Sequence, residues 1–226
     1  MNDSIALDGP SASGKTTIAQ ALSKRLGFLH LDTGAMYRAL ALLALEFGVD
    51  TDNEDALVRL YREHRLEIVP DPAAPNGYRV LIDGKDRTAR LFGADVTAIV
   101  STVSAHPAVR AALVSRQQEI AREGPVVMAG RDIGTVVLPD ARHKFFLTAS
   151  LDERVKRRQA DLAAAGVHVD TANLRAQIDE RDRLDASRAV APLRPAPDAI
   201  TIDSTAMSID DVVATMLDRI REEARQ

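Results

Sequence analysis

The chain has 226 residues, of which 46% are hydrophobic, and a formal net charge of −4 at neutral pH. This length and composition favour one α/β domain with insertions, and the acidic balance argues against a general nucleic-acid binder, so any basic site must be local. Cysteine is absent, which excludes disulfides, iron–sulfur clusters and thiol catalysis. The chain opens on a predicted strand without a basic and apolar leader, and no apolar run approaches the ~18 residues that cross a bilayer. We therefore expect a cytoplasmic protein.

The first functional pattern lies at residues 9–16, which run Gly-Pro-Ser-Ala-Ser-Gly-Lys-Thr. They match the phosphate-loop pattern G-x-x-x-x-G-K-[ST] at every fixed position. The apolar run before the loop predicts a buried strand, and the periodic apolar residues after it predict a helix. In that context backbone N–H groups bind phosphate, Lys15 reaches the outer phosphates and the Thr16 hydroxyl ligates magnesium.

A second strand is predicted at residues 28–31, followed by Asp32-Thr33-Gly34. Thr33 is the predicted N-cap of the next helix, which ends at Gly48. Arg38 lies in the first turn of that helix, although the helix dipole favours acidic residues there. It is therefore either a solvated arginine or a phosphate ligand that faces the phosphate loop.

The middle of the chain differs in character from the segments around it, because it predicts a small antiparallel insertion instead of more parallel strands. The predicted elements are a helix over 53–63 capped by Asp52, strands over 66–69 and 78–82, and helices over 93–105 and 107–122. Pro107 suits the first position of the last of these helices.

Residues 126–129 are the best candidate for another central strand, and Gly130-Arg131-Asp132 follows them. Arginine and aspartate at the carboxyl end of a parallel strand lie where open α/β sheets bind ligands. Further strands are predicted at 144–147 and 199–202, before a final helix capped by Ser208.

An arginine-rich segment lies between those last two strands. Arg154, Arg157 and Arg158 share one helix face at i, i+3 and i+4. Residues 163–166 predict a helix end and hinge, and a second helix carries the charged run 180–188. Such runs are usually solvated faces, but phosphoryl transfer needs neutralised charge and exclusion of water. We favour a mobile lid over a plain solvated helix.

Four blocks of sequence, in this order and spacing, are together similar to the bacterial cytidylate kinase family, nucleoside-monophosphate kinases that phosphorylate CMP and dCMP. They are Ile-Ala-Leu-Asp-Gly-Pro-Ser-Ala-Ser-Gly-Lys-Thr (5–16), Leu-Asp-Thr-Gly-Ala-Met-Tyr-Arg (31–38), Gly-Arg-Asp-Ile-Gly-Thr-Val-Val-Leu-Pro-Asp-Ala (130–141) and Glu-Arg-Asp-Arg-Leu-Asp-Ala-Ser-Arg (180–188). The resemblance covers nearly the whole chain, including the antiparallel insertion.

The resemblance implies a P-loop NTPase fold of the α/β class, with a five-stranded parallel sheet flanked by helices. It implies one kinase domain over residues 1–226, with a monophosphate-binding insertion at about 60–105 and a mobile lid at about 150–168. The implied substrates are ATP, with Mg²⁺, and CMP or dCMP. A monomer that binds neither nucleic acid nor membrane is expected.

The resemblance also assigns roles to residues. The ATP-binding residues would be Gly9, Pro10, Ser11, Ala12, Ser13, Gly14, Lys15, Thr16, Thr17, Arg154, Arg157 and Arg158. The CMP phosphate would bind Arg38, Arg131 and Arg188; the sugar and its phosphate would lie near Thr33, Arg181 and Asp185; and the base would face Ser101, Arg110 and Asp132. Tyr37 completes the implied CMP site. The implied catalytic residues are Lys15, Arg131, Arg158 and Arg188, and the implied metal ligand is Thr16.

The chemistry of the residues supports the base assignment. Cytosine offers an amino donor and two acceptors, which a carboxylate, a guanidinium and a hydroxyl complement. The uracil carbonyl would meet the Asp132 carboxylate acceptor to acceptor, and each buried polar group left unpaired costs about 1–3 kcal/mol. The acceptor phosphate, with a second pKa of about 6, is already an oxyanion at neutral pH and needs no general base. Accordingly, none of the five histidines has the spacing of a nucleophile–base pair or a zinc site.

Two positions depart from the family pattern. Ala129 stands where many relatives have an acid that helps to hold magnesium, a part for which Asp132 and Asp8 are the candidates. Phe92 stands in the insertion where a basic residue is expected, and could alter affinity or loop motion. The sequence lacks the Asn-Lys-x-Asp and Asp-x-x-Gly patterns of regulatory GTPases and the strand-end acids of ATP-driven motors. Another small-substrate kinase, for UMP or shikimate, and a non-catalytic nucleotide-binding module remain as alternatives.

Overall fold

The computed structural model describes residues 3–71, 73–164 and 166–224. The strands in these ranges are β1 (Ile5–Asp8), β2 (Leu29–Asp32), β3 (Leu66–Pro70), β4 (Tyr78–Ile82), β5 (Lys85–Asp86), β6 (Val126–Gly130), β7 (His143–Thr148) and β8 (Ile200–Asp203). The α-helices are α1 (Lys15–Leu26), α2 (Thr33–Phe47), α3 (Glu54–Glu63), α4 (Ala94–Val103), α5 (Pro107–Glu123), α6 (Leu151–Ala164), α7 (Thr171–Ala186) and α8 (Ile209–Ala224). A 3₁₀ turn spans Thr88–Phe92, and a π-helical turn spans Ile133–Val137.

A five-stranded parallel sheet, in the order β2-β6-β1-β7-β8, forms the centre of the protein. Its strands are short and apolar because helices cover both faces; in β1, Ile5, Ala6 and Leu7 are completely buried. One face packs against α1 and α8, and the other against α2, α3 and α5. This architecture confirms the predicted parallel sheet flanked by helices.

The predicted antiparallel insertion is also confirmed. Strands β3, β4 and β5 form a separate antiparallel sheet. Tyr78 and Val80 of β4 are completely buried and belong to the same apolar cluster as α2. The insertion is therefore packed against the helix that follows β2.

Two predicted helix caps are wrong by one residue. Asp32, not Thr33, caps α2, because β2 remains extended through Asp32 and its carboxylate accepts from Gly34 N at 3.0 Å. Asn53, not Asp52, caps α3, because the Asn53 side chain accepts from Ala56 N at 3.0 Å. The predicted capping by Ser208 is confirmed, since its Oγ accepts from Asp211 N at 3.2 Å.

The hinge predicted at 163–166 is described only in part. Ala165 lies outside the described residues, whereas Gly166 has a left-handed φ of 74° and its N–H donates to Ala163 O at 3.0 Å. No single helix in the described ranges is long and apolar enough to cross a membrane. Within the same described ranges, only α4 and α5, taken as a pair bent by 100°, meet the criteria of length and composition.

The register of the parallel strands brings three sequence blocks to one edge of the sheet. Asp8 lies opposite Gly130 on the neighbouring strand, and Asp32 lies opposite Ala129. Because β1, β2 and β6 run in the same direction, the phosphate loop, the start of α2 and the segment after Gly130 leave the sheet together. Open α/β sheets bind their ligands at such an edge.

Candidate active site

A cavity of about 710 Å³ lies at this carboxyl edge. Its walls come from the phosphate loop, the start of α2, the C-terminal end of α7, the segment after β6, α6 and the loop between β8 and α8. The volume is in the range of sites that bind nucleotide-sized ligands. None of the described histidines lines it.

The phosphate loop is built by close backbone contacts. A Cβ atom on Gly9 would lie 2.0 Å from Leu147 O, so only glycine fits where the loop leaves β1. The Lys15 ammonium donates to Pro10 O at 2.6 Å and to Ser13 Oγ at 3.2 Å. Burial, reinforced by the nearby Arg131, lowers the pKa of Lys15 well below its usual value. Both hydrogen-bond partners are neutral oxygens, so the ammonium charge is available to incoming phosphate.

Most of the predicted ATP-binding loop borders the cavity. The lining residues there run from Ser11 through Thr17, whereas Gly9 and Pro10 are buried and do not line the cavity. Ala12 has a left-handed φ of 57°, which is uncommon for a residue other than glycine. Its side chain packs against a small apolar cluster between α6 and α7.

A hydroxyl and a carboxylate meet where magnesium is expected. Thr16 Oγ1 donates to Asp32 Oδ2 at 2.9 Å, and both residues line the cavity. Hard oxygen ligands of this kind suit Mg²⁺, which usually takes one or two protein ligands together with phosphates and water. Because Asp32 lies opposite Ala129 in the sheet, its carboxylate stands beside the position where the resemblance leads us to expect an acid. The residues present therefore fit the ion.

The two acids proposed from the sequence to replace the missing carboxylate are engaged elsewhere. Asp8 accepts from Ile133 N and Gly134 N, each at 2.8 Å, and so fixes the π-helical turn after β6. Asp132 forms a buried ion pair with Arg110. The structure therefore favours Asp32 in place of both candidates.

The structural role of Asp8, which is to fix the turn after β6, can be tested through the pH dependence of protein stability. Burial raises the pKa of Asp8 to about 6 despite the two N–H donors, whereas an unfolded Asp titrates near 3.9. Its contribution to stability is full below pH ~4 and is lost as the pH rises through about 6. Relative to wild type, the unfolding free energy of Asp8→Asn should therefore rise by about 2 kcal/mol between pH 4.5 and 7.5. Denaturant unfolding at both pH values measures it; a difference independent of pH would contradict the assignment.

An arginine cluster faces the phosphate loop across the cavity. Arg131 Nε donates to Asp185 Oδ2 at 2.8 Å, and Arg188 Nη2 lies 2.5 Å from Asp185 Oδ1. Arg181 also lines the cavity, and its Nε is buried without a partner among the described residues. Burial, together with neighbouring Arg131 and Arg38, lowers the pKa of Arg181 to about 9. Such crowding of cations around one carboxylate is typical of an anion site.

Arg38 is buried, so the alternative that it is a solvated arginine is wrong. Its Nη1 donates to Leu91 O at 3.2 Å and to Thr97 Oγ1 at 2.9 Å. The guanidinium lies 5.3 Å from the centre of the Phe92 ring, a cation–π contact. The unexpected Phe92 therefore lines the cavity and helps to hold Arg38.

A second group of polar side chains lies deeper beside α5. Arg110 and Asp132 form a buried ion pair, and Arg110 lies 5.5 Å from the centre of the Tyr37 ring. Burial raises the pKa of Tyr37 to about 12, so its hydroxyl stays protonated. Ser104 lines the cavity here and its Oγ accepts from Arg188 Nη2 at 2.9 Å.

Two predicted CMP-binding residues have hydroxyls that are engaged within the protein or lie away from the cavity. Ser101 does not line the cavity; its carbonyl accepts from Ser104 Oγ at 3.1 Å. Thr33 does line it, but its hydroxyl donates to Ala129 O at 3.0 Å. The remaining predicted CMP-binding residues all line the cavity: Tyr37, Arg38, Arg110, Arg131, Asp132, Arg181, Asp185 and Arg188.

The three arginines of α6 have different surroundings. Arg157 donates to Ser13 O at 3.3 Å and to Ser204 O at 2.7 Å, and both Arg157 and Arg158 line the cavity. Arg154 does not line the cavity; it donates to Ser11 O at 3.1 Å and forms an ion pair with Asp182. Two of the three predicted lid arginines therefore reach the cavity, and one holds the outside of the phosphate loop.

Sequence reasoning missed several residues of the site. Asp32 and Ser104 belong to a motif and a helix that the sequence analysis recognised. Whether their side chains face the cavity depends on strand order and helix packing, which local sequence patterns do not show. The loop after β8 was missed entirely; its lining residues are Ser204, Met207 and Ser208, followed by Ile209 and Val212 of α8. Its position at the carboxyl end of a parallel strand was the available signal.

A phosphate loop that faces an arginine cluster, both at the carboxyl edge of a parallel sheet, defines the protein as a P-loop kinase with an anionic second substrate. Residues 5–222 match the family model for cytidylate kinase. The chain is 48% identical over 219 residues to a cytidylate kinase of Geobacillus kaustophilus, covering 97% of this chain and 96% of that one. It is 48% identical over 222 residues to a cytidylate kinase of Pelotomaculum thermopropionicum, covering 98% and 97%. The chain therefore belongs to the cytidylate kinase family.

A solved structure resembles the fold at much lower identity. An uncharacterized protein from Eubacterium ventriosum has a TM-score of 0.52 and 14% identity, over 98% of this chain and 99% of that one. At this identity the likeness concerns the fold alone.

Proposed function

We propose that the protein transfers the γ-phosphate of ATP to CMP or dCMP, giving ADP and CDP or dCDP. Membership of the cytidylate kinase family supports this assignment over the alternatives of a UMP kinase, a shikimate kinase or a non-catalytic module. The structural observation that carries it is one cavity shared by the phosphate-loop Lys15, the cluster around Asp185 and the buried Arg110–Asp132 pair. These three groups suit a donor polyphosphate, an acceptor phosphate and a cytosine base, respectively.

The reaction needs alignment and charge neutralisation more than it needs proton transfer. A phosphate oxygen of CMP attacks the γ-phosphorus of ATP, the new P–O bond forms, and the bond to the bridging β–γ oxygen breaks as ADP leaves. Arg38, Arg131 and Arg188 would hold the acceptor phosphate, and Lys15 and Arg158 would neutralise charge on the transferred group. The CMP phosphate is already an oxyanion near neutral pH, so the reaction needs no side chain as a general base.

Magnesium, when bound with ATP, neutralises charge on the donor phosphates. Thr16 and Asp32 are the residues that would hold it. The Asp32 carboxylate has two tasks, since Oδ1 caps α2 through Gly34 N while Oδ2 bonds the Thr16 hydroxyl.

These two tasks can be separated by Asp32→Asn. Asparagine is as good an N-cap as aspartate, so α2 and the melting temperature should change little. Loss of the charge should raise the Mg²⁺ concentration that supports half-maximal ATP binding by about 10-fold or more. Titration of ATP binding at several Mg²⁺ concentrations measures this without turnover. Asp55→Asn, on the exposed start of α3, is the control, and an unchanged Mg²⁺ dependence would exclude Asp32 from the metal site.

The same proposal includes closure of two segments over the substrates, and it extends to the enzyme's location and oligomeric state. The insertion at about 60–105 would close over CMP, and the segment at about 150–168 would cover ATP within a single kinase domain over 1–226. We propose that the protein acts in the cytoplasm as a monomer and requires no nucleic acid or membrane partner. An apolar surface of the cavity beside Arg157 suits the adenine ring of ATP; it is formed by Met207, Ile209 and Val212.

The direct test is ADP formation from ATP and Mg²⁺ with CMP, dCMP, UMP, AMP and shikimate as parallel acceptors. Selective turnover of CMP and dCMP is the expected result. Preferred turnover of another acceptor would overturn the base assignment, and binding of CMP without turnover would support the non-catalytic alternative.

A further inference from the structure

The tip of the phosphate loop is held from outside by the two helices of the arginine-rich segment. Ser11 N donates to Asp182 Oδ1 at 2.9 Å, and Ser11 O accepts from Arg154 Nη1 at 3.1 Å. Arg154 and Asp182 are also paired with each other, so the three residues close a ring of contacts. The side chains of Arg154 and Asp182 are only 10% and 18% exposed, so solvent screens this ion pair little.

An apolar contact supports the same ring. Ala12, next to Ser11, packs against the small cluster formed by Val155 of α6 and by Leu174 and Ile178 of α7. The loop is therefore fixed to both helices by hydrogen bonds, charge and packing. The Lys15 ammonium and the Thr16 hydroxyl take no part in these contacts, because they bond to Pro10, Ser13 and Asp32.

Asp182 lies on α7, the same helix as two residues that line the proposed acceptor site. Arg181 precedes it, and Asp185, one turn further along α7, pairs with Arg131 and Arg188. One helix thus contacts the donor loop through Asp182 and the acceptor cluster through Asp185. A displacement of α7 would move both at once.

We propose that Asp182 is a positioning residue that couples the two substrate sites, so that donor and acceptor nucleotides each bind more tightly in the presence of the other. This inference rests on the proposed function, because it needs two nucleotide sites. Asp182 does not line the cavity; it sets the phosphate loop relative to the acceptor-binding end of α7. Coupling between two sites is reciprocal, so either nucleotide can be used to measure it.

The experiment compares Asp182→Ala and Asp182→Asn with wild type. The dissociation constant of a non-hydrolysable ATP analogue is measured by calorimetry with and without saturating CMP, and the reciprocal measurement is made for CMP. Wild type should show tightening of about 5-fold or more, within the usual range of coupled sites. Asp182→Ala should reduce that factor to less than about 2-fold, with CMP alone bound within about 3-fold of wild type. Asp182→Asn keeps an oxygen for Ser11 N but loses the charge opposite Arg154, and should give an intermediate factor.

Glu180→Gln is the matched control, because Glu180 lies on the same helix and pairs only with exposed Arg183 among the described residues. It should retain the wild-type coupling factor. Retention of full coupling in Asp182→Ala would overturn the proposal, as would equal weakening of both nucleotides with the coupling intact. If the alanine variant does not fold, wild-type coupling in Asp182→Asn would overturn it. Wild-type turnover of CMP is measured in parallel; its absence would count against the proposed function, whereas turnover without coupling would count against Asp182 alone.

Discussion

Lys15→Ala is expected to lower kcat for CMP by about 10³-fold or more while leaving CMP binding within about 3-fold of wild type. Its ammonium is buried at the centre of the loop and, among the residues that the structure describes, is hydrogen-bonded only to neutral oxygens of Pro10 and Ser13. The positive charge of Lys15 is therefore available to the phosphates of bound ATP. Its effect is greatest in the transition state, when negative charge shifts between the donor and the transferred phosphate. The arginines proposed to bind CMP lie on other elements and keep their own partners.

Stability should change little in this variant. Removing a buried cation that has no carboxylate partner within hydrogen-bonding distance among the described residues also removes the cost of burying it. Lys24→Ala, on the exposed side of the same helix, is the control and should retain full activity. Steady-state kinetics, CMP calorimetry and thermal unfolding separate the outcomes. Equal loss of turnover and CMP binding, with a lower melting temperature, would indicate misfolding or a misplaced donor site.

The local patterns of the sequence were sufficient for most of the fold. The phosphate loop, the apolar run at 126–129 and the Pro107 helix start are each determined by short-range chemistry: glycine conformation, burial on both faces of a strand, and a proline without an N–H. Each is found in the structure within a residue or two of its prediction. The parallel sheet followed because such runs alternate with helices.

The sequence was less informative about which residues meet in the site, because those meetings depend on the order of strands in the sheet. The sequence offered Asp8 and Asp132 as replacements for an acid at Ala129 because both are close to it along the chain or in a motif. Only the pairing of β2 with β6 brings Asp32 beside Ala129. That pairing joins residues about a hundred positions apart, and no local periodicity encodes it.

Helix rotation limited the prediction in the same way. Ser101 and Ser104 are one turn apart, and spacing alone does not tell which of them faces the cavity. Packing of α4 turns Ser104 toward Arg188. Arg154 is a similar case, since sharing a helix face with Arg158 did not prevent it from binding Ser11 and Asp182 instead of the cavity.

Asp132→Asn is expected to narrow the ratio of kcat/KM for CMP over UMP by about 10–100-fold, because it changes the hydrogen-bonding character of the proposed base site without changing its shape. The wild-type carboxylate can accept from the amino group of cytosine but meets the uracil carbonyl as a second acceptor. An asparagine Oδ1 can still accept from Arg110, while its amide N–H₂ can donate to uracil. The efficiency for CMP should fall and that for UMP should rise or fall less.

The substrate ratio separates recognition from stability in this variant. Arg110 is buried with Asp132 as its ion-pair partner, so loss of the carboxylate charge should also lower the unfolding free energy, by about 1–3 kcal/mol. A less stable enzyme loses activity toward CMP and UMP alike, which leaves the ratio unchanged. Asp140→Asn, at an exposed position in the same segment, should alter neither quantity. An unchanged ratio with a lower melting temperature would make Asp132 a structural partner of Arg110 and remove it from base recognition; a narrowed ratio requires that the carboxylate meets the base itself.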